Sequence, residues 1–285
     1  MAFLRQVFAY PFMVRALVVG GIVALCAALL GVTLVLKRYS MIGDGLSHVG
    51  FGTLSIAMAL QMVFPAFANI HSPLLLSLPI VVVAAVLLLR LSANSSIKGD
   101  AAIAIVSSSA LAIGIIAASL TAGMNIDVMN FLFGSILSIT GTDVVLSCLV
   151  AVLVLGLYIV FFNKIFAITF DENFAKATGT NAGTYNTLLA VLTALVIVVG
   201  MRIMGAMLIS CLIIFPAITS MRIFKSFKAV VVCSAGVSLF CFFTGMLLSF
   251  GIPTLPSGAT IVVVNLAVFL VFSAMGLLLR HRAKP

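Results

Sequence analysis

The sequence predicts an all-α fold: a polytopic integral membrane bundle of about eight to ten transmembrane helices with a cytoplasmic coupling helix. Three observations predict it. The chain is 64% hydrophobic and 7% charged, where a soluble domain of this size carries about a quarter charged residues. Its mean hydropathy is +1.39, so there is too little polar surface to cover a water-soluble globule. Runs of about 20 apolar residues follow one another, the length a helix needs to cross hydrocarbon. These runs are apolar on all sides, unlike the short alternating strands of a membrane β-barrel.

Taken in order, the apolar runs place spans near 14–36, 44–64, 73–91, 101–122, 143–162, 185–201, 204–221, 229–250 and 259–279, all within one transmembrane domain, 1–285. The N-terminus lacks the short apolar core and small-residue end of a cleaved signal peptide. Basic residues orient the bundle. Lys37-Arg38, Arg90 with Lys98, Lys164 with Lys176, Arg222-Lys225-Lys228 and Arg280-Arg282-Lys284 follow alternate spans, as expected of cytoplasmic loops. The intervening connections are poor in charge, with Arg202 the exception. The formal net charge of +9 is thus a topological signal, and no nucleic-acid partner is expected. The stretch 126–140 is short for a span and fits a re-entrant helix, with Asp127 either its cap or a pathway ligand.

Small residues such as Gly31, Gly50 and Gly52 permit close helix packing. The five cysteines sit in apolar context without a CxxC pair, as inert buried thiols do. The connection 164–184 differs from the others. It is polar, and it holds Asp171 and Glu172. FDENFAKATG fits a short amphipathic helix with an acid at its N-terminal end and Gly179 closing it. Phe174 and Ala177 would share a face. Such an element is either a solvated connector or a docking site for a soluble partner.

Chemistry-bearing residues are few. No GxxxxGK[ST] phosphate loop and no HExxH occurs, and Glu172 is the sole glutamate. An enzyme has little to work with here, and no intrinsic cofactor is expected. Asp44 and His48 stand out, four residues apart in MIGDGLSHVGFG at the start of an apolar run. Four residues is one helical turn, so both side chains leave one face. Ionisable groups inside a membrane usually serve a ligand or a pathway, and Asp oxygen with His nitrogen makes half a transition-metal site. The competing reading is a structural pair, with Asp44 capping the span. Zn²⁺ takes about four ligands, so other spans or a second copy of the chain must complete the shell. Ser47 and Met41 are nearby weak ligands. His71 reads as an outer-loop residue and His281 as part of a basic tail.

With these residues in view, the chain resembles the membrane permease of bacterial ABC importers for zinc, manganese or iron. Four segments carry the resemblance: GDGLSHVGFG (43–52), FDENFAKATG (170–179), MGAMLISCLIIFPAITS (204–220) and PSGATIVV (256–263). It implies that Asp44 and His48 bind transported Zn²⁺ or Mn²⁺ transiently. It implies that Phe170, Asp171, Glu172, Ala175 and Gly179 meet a cytoplasmic ATPase. It further implies a homodimer in the bacterial plasma membrane, served by two ATPase subunits and an extracellular or periplasmic metal-binding protein. The chain departs from the family's pattern at Gly45 and at VGFG after the histidine. Rival readings are an ion-coupled secondary transporter, a permease for a metal chelate, and a membrane scaffold without transport.

Overall fold

A computed structural model of the chain describes residues 11–64, 73–94, 99–120, 141–252 and 254–282. The expected re-entrant stretch 126–140, Asp127 and His71 lie outside the described residues. Among those described, eleven helices follow one another: α1 (Pro11–Leu36), α2 (Ser40–Val63), α3 (Pro73–Asn94), α4 (Gly99–Leu120), α5 (Gly141–Val160), α6 (Phe162–Phe170), α7 (Glu172–Ala177), α8 (Ala182–Met204), α9 (Ala206–Met221), α10 (Phe227–Gly251) and α11 (Ser257–Arg282). Seven are long and apolar enough to cross a membrane, and α3 and α9 contain shorter apolar helices. The polytopic helical bundle expected from composition is therefore the fold.

Helices α1, α8 and α9 form the centre. The most apolar windows of α1 and α8 are 72% buried, whereas that of α11 is 17% buried. Peripheral helices turn Ile116 and Leu120 of α4, Val152 of α5 and Leu277 of α11 outward. Such an apolar exterior suits lipid and not water. With no hydrophobic drive between helices in lipid, close approach and interhelical hydrogen bonds hold them together. A Cβ on Gly31 of α1 would collide with the Ile213 carbonyl of α9, and one on Gly52 of α2 with the Ala110 carbonyl of α4. Ser234 and Ser238 of α10 donate to the Ala28 and Ala24 carbonyls of α1 at 3.4 and 2.9 Å. Cys26, Cys211 and Cys241 are buried free thiols.

Two connections fix how the central helices turn. Gly205, at φ 87°, separates α8 from α9 by a single residue, a backbone state that glycine adopts without strain. Between α1 and α2, Arg38 takes φ 61°. Its amide donates to the Val35 carbonyl at 3.1 Å, and the Tyr39 amide to Leu34 at 2.8 Å. This pair of bonds closes a helix in the Schellman manner, and only three residues, 37–39, separate α1 from α2.

Candidate metal site and docking helix

Helix α2 begins at Ser40, earlier than the apolar pattern suggests, so Asp44 sits in its second turn and does not cap it; the N-cap is Tyr39. The apolar candidate span begins at Met41. At 1.5 Å per residue, Asp44 and His48 lie about 5 and 10 Å along it, close to the end that carries Lys37 and Arg38. His48 Nε2 stands 3.6 Å from Asp44 Oδ2, with 30% of the His48 side chain and 52% of the Asp44 side chain exposed. Met41 opens on the same face, at 52% exposure, while Leu46 and Phe51 are buried. Between residues 42 and 54 of the helix, only Asp44 and His48 are not buried.

The separation suits a shared cation. Two ligand bonds of about 2.1 Å spanning 3.6 Å would meet at about 120°. His48 Nδ1 is buried without a hydrogen-bond partner, which leaves Nε2, toward Asp44, as the nitrogen available to a ligand. No group of three or more His, Cys, Asp or Glu residues gathers among the described residues. One chain offers two ligands here, not a full shell.

Ser47 faces elsewhere. It is 1% exposed; its hydroxyl donates to the Gly43 carbonyl at 2.8 Å and lies 3.2 Å from the Ser210 hydroxyl of α9. The glycines flanking the pair serve packing: Cβ atoms on Gly45 and Gly50 would press on Ile103 of α4 and Met201 of α8. VGFG therefore stays helical, and its two glycines let α8 and α4 approach α2 closely.

The polar connection forms the short helix its sequence suggests. Phe174 N–H donates to Asp171 Oδ1 at 2.9 Å, capping α7. Gly179, at φ 81°, closes it, with the Thr180 amide bonded to the Ala175 carbonyl at 2.9 Å. Residues expected in the loop from 164 are instead helical through Phe170, because Phe162, Phe166 and Phe170 of α6 pack around Phe227 of α10 at centroid distances of 5.4, 5.3 and 5.9 Å. Phe170, Asp171, Phe174 and Gly179 are exposed, whereas Ala175 is fully buried and seats the helix.

Glu172 points inward to a network that sequence reasoning missed. Asn186 of α8 donates to Glu172 Oε2 at 3.3 Å, Lys176 lies 3.0 Å from Oε1, and Lys37 lies 4.0 Å from Oε2. Lys37 also donates to Asn186 Oδ1. Contacts with Lys176, Asn186 and Lys37 hold the Glu172 carboxyl below the usual glutamate range, while burial pulls Lys37 down. The only available signal was that Glu172 is the sole glutamate. At the opposite end of α8, Arg202 Nε meets Asp143 Oδ1 of α5 at 3.1 Å, with the Asp143 side chain 5% exposed. The exception in the loop-charge pattern is thus a paired structural cation.

Comparison with known proteins agrees with this architecture. The manganese import system permease protein ScaB of Streptococcus gordonii is 31% identical over 273 residues, covering 94% of this chain and 93% of that protein. The high-affinity zinc uptake system membrane protein ZnuB of Haemophilus influenzae is 28% identical over 234 residues, covering 82% and 86%. The solved structure of PsaBC from Streptococcus pneumoniae in complex with Fab superposes with a TM-score of 0.81 at 29% identity, covering 95% of this chain and 94% of that one. The model of the ABC 3 transport family matches residues 9–276. With nearly its whole length matched and a bundle of membrane-spanning helices as its fold, the chain belongs to the ABC 3 transport family.

Proposed function

We propose that this chain is the membrane permease of an ATP-driven importer for a divalent transition metal, Zn²⁺ or Mn²⁺, in a bacterial plasma membrane. The observation that carries the reading is the Asp44–His48 pair, half open on one face of a membrane-spanning helix. Manganese and zinc permeases among the relatives support that substrate class.

Two copies related by a two-fold axis would bring two Asp44–His48 pairs together and supply four ligands, enough for a tetrahedral shell. Asp oxygen and His nitrogen suit borderline divalent ions, and two ligands per chain keep the hold weak enough for release, as a pathway requires. The exposed side chains of Phe170, Asp171 and Phe174 form the contact for a soluble ATPase subunit, one per permease copy. A metal-binding protein outside the membrane delivers the ion. The test is metal accumulation in cells carrying Asp44→Ala or His48→Ala at matched expression. Loss of uptake in both is expected; uptake at the wild-type rate in both would sink the reading.

A further inference from the structure

Helix α7 packs its backbone on α6 and α8, but the Glu172 side chain reaches past them to Lys37. Lys37 directly follows the last residue of α1, and its side chain is only 9% exposed. It sits in a narrow cleft lined by Leu34, Tyr39, Ile42, Ala85, Asn186 and Leu189, drawn from α1, α2, α3 and α8. Two residues on, Tyr39 is the N-cap of α2. The intervening turn is locked by the Arg38 and Tyr39 amide bonds, so it has little slack. A displacement of Glu172 therefore acts, through Lys37, on the N-terminus of α2, whose first residue Ser40 lies four before Asp44.

We propose that Glu172 and Lys37 are positioning residues that link the docking helix α7 to helix α2, so that movement of α7 re-aims Asp44 and His48. The proposal rests on the reading of the chain as an ATP-driven metal permease. Asn186 steadies the link by holding both partners from the first turns of α8. Lys176, on α7 itself, pairs with Glu172 without reaching α2, so it is not part of the link.

The experiment measures Mn²⁺ and Zn²⁺ transported and ATP hydrolysed by the same complex of permease, ATPase and metal-binding protein in proteoliposomes. The variants are Lys37→Met, Glu172→Gln, their double and Lys176→Gln, each normalised to assembled complex. Metal moved per ATP should fall about fivefold or more in each single variant, as loss of an element coupling two sites does. The double should be no worse than either single, and Lys176→Gln should keep the wild-type ratio. An unchanged ratio in Lys37→Met and Glu172→Gln overturns the link, as does an equal fall of hydrolysis and transport. Glu172→Gln, on the more exposed partner, gives the same readout if Lys37→Met assembles poorly. Asp44→Ala in the same assay separates the two readings: wild-type transport there defeats the metal-ligand reading, whereas lost transport there with an unchanged Lys37→Met ratio defeats the link alone.

Discussion

His48 Nε2 faces Asp44 Oδ2 at 3.6 Å across one turn of α2, while His48 Nδ1 is buried without a partner. Nε2 is therefore the nitrogen on the open side of the ring, where a ligand can reach it.

Ser47, next to His48 in sequence, provides a contrast within the same turn. Its hydroxyl is committed to Gly43 and Ser210. Ser47→Ala should cost about 1 kcal/mol of stability and leave metal uptake near wild type. Uptake lost to the same degree as in His48→Ala would place Ser47 in the pathway.

Gly31→Ala should destabilise the chain by about 1–3 kcal/mol, since the added methyl drives α1 away from the Ile213 carbonyl. Gly236→Ala, where a Cβ meets nothing within 4 Å, should be neutral. Thermal unfolding of detergent-solubilised protein checks both; equal midpoints would contradict the packing described.

Arg202→Met removes the cation beside a carboxylate whose side chain is 5% exposed. Breaking such a buried pair costs about 3 kcal/mol. The Asp143→Asn, Arg202→Met double should cost less than the sum of the singles. Additive losses would mean the two side chains act independently.

The attachment of α7 depends on ionised Glu172. Its carboxyl titrates below the usual glutamate range because Lys176, Asn186 and Lys37 favour the charged form. A depressed folded value means the stabilisation is full above the unfolded glutamate range and is lost as pH falls through the folded value. Amide exchange in α7, corrected for intrinsic rates, should be flat from neutral pH to the usual glutamate range and rise only below it. A rise between pH 7 and 6 would point to another group.

The sequence revealed most of what depends on local pattern. Apolar runs located the spans, because a membrane helix must be apolar over a fixed length. FDENFAKATG disclosed both ends of α7, since Asp171 and Gly179 act on their own backbone neighbours. The Asp44–His48 pair was visible because one helical turn links it. What stayed hidden depends on contacts between distant segments. Lys37 looked like an orienting charge and Arg202 like an exception, because their partners Glu172 and Asp143 lie far along the chain. The α6 extension was missed because the Phe162–Phe166–Phe170 stripe makes sense only against Phe227. Ser47 read as a weak ligand beside His48, and its contact with Ser210 was hidden because α9 lies far along the chain.

The central claim is that Asp44 and His48 of two copies hold the transported ion together. Zinc K-edge X-ray absorption on the zinc-loaded permease–ATPase complex tests it most directly. The expected result is two imidazole nitrogens per zinc in the wild type and their loss in His48→Gln. A zinc shell without imidazole, or one unchanged by His48→Gln, would contradict it.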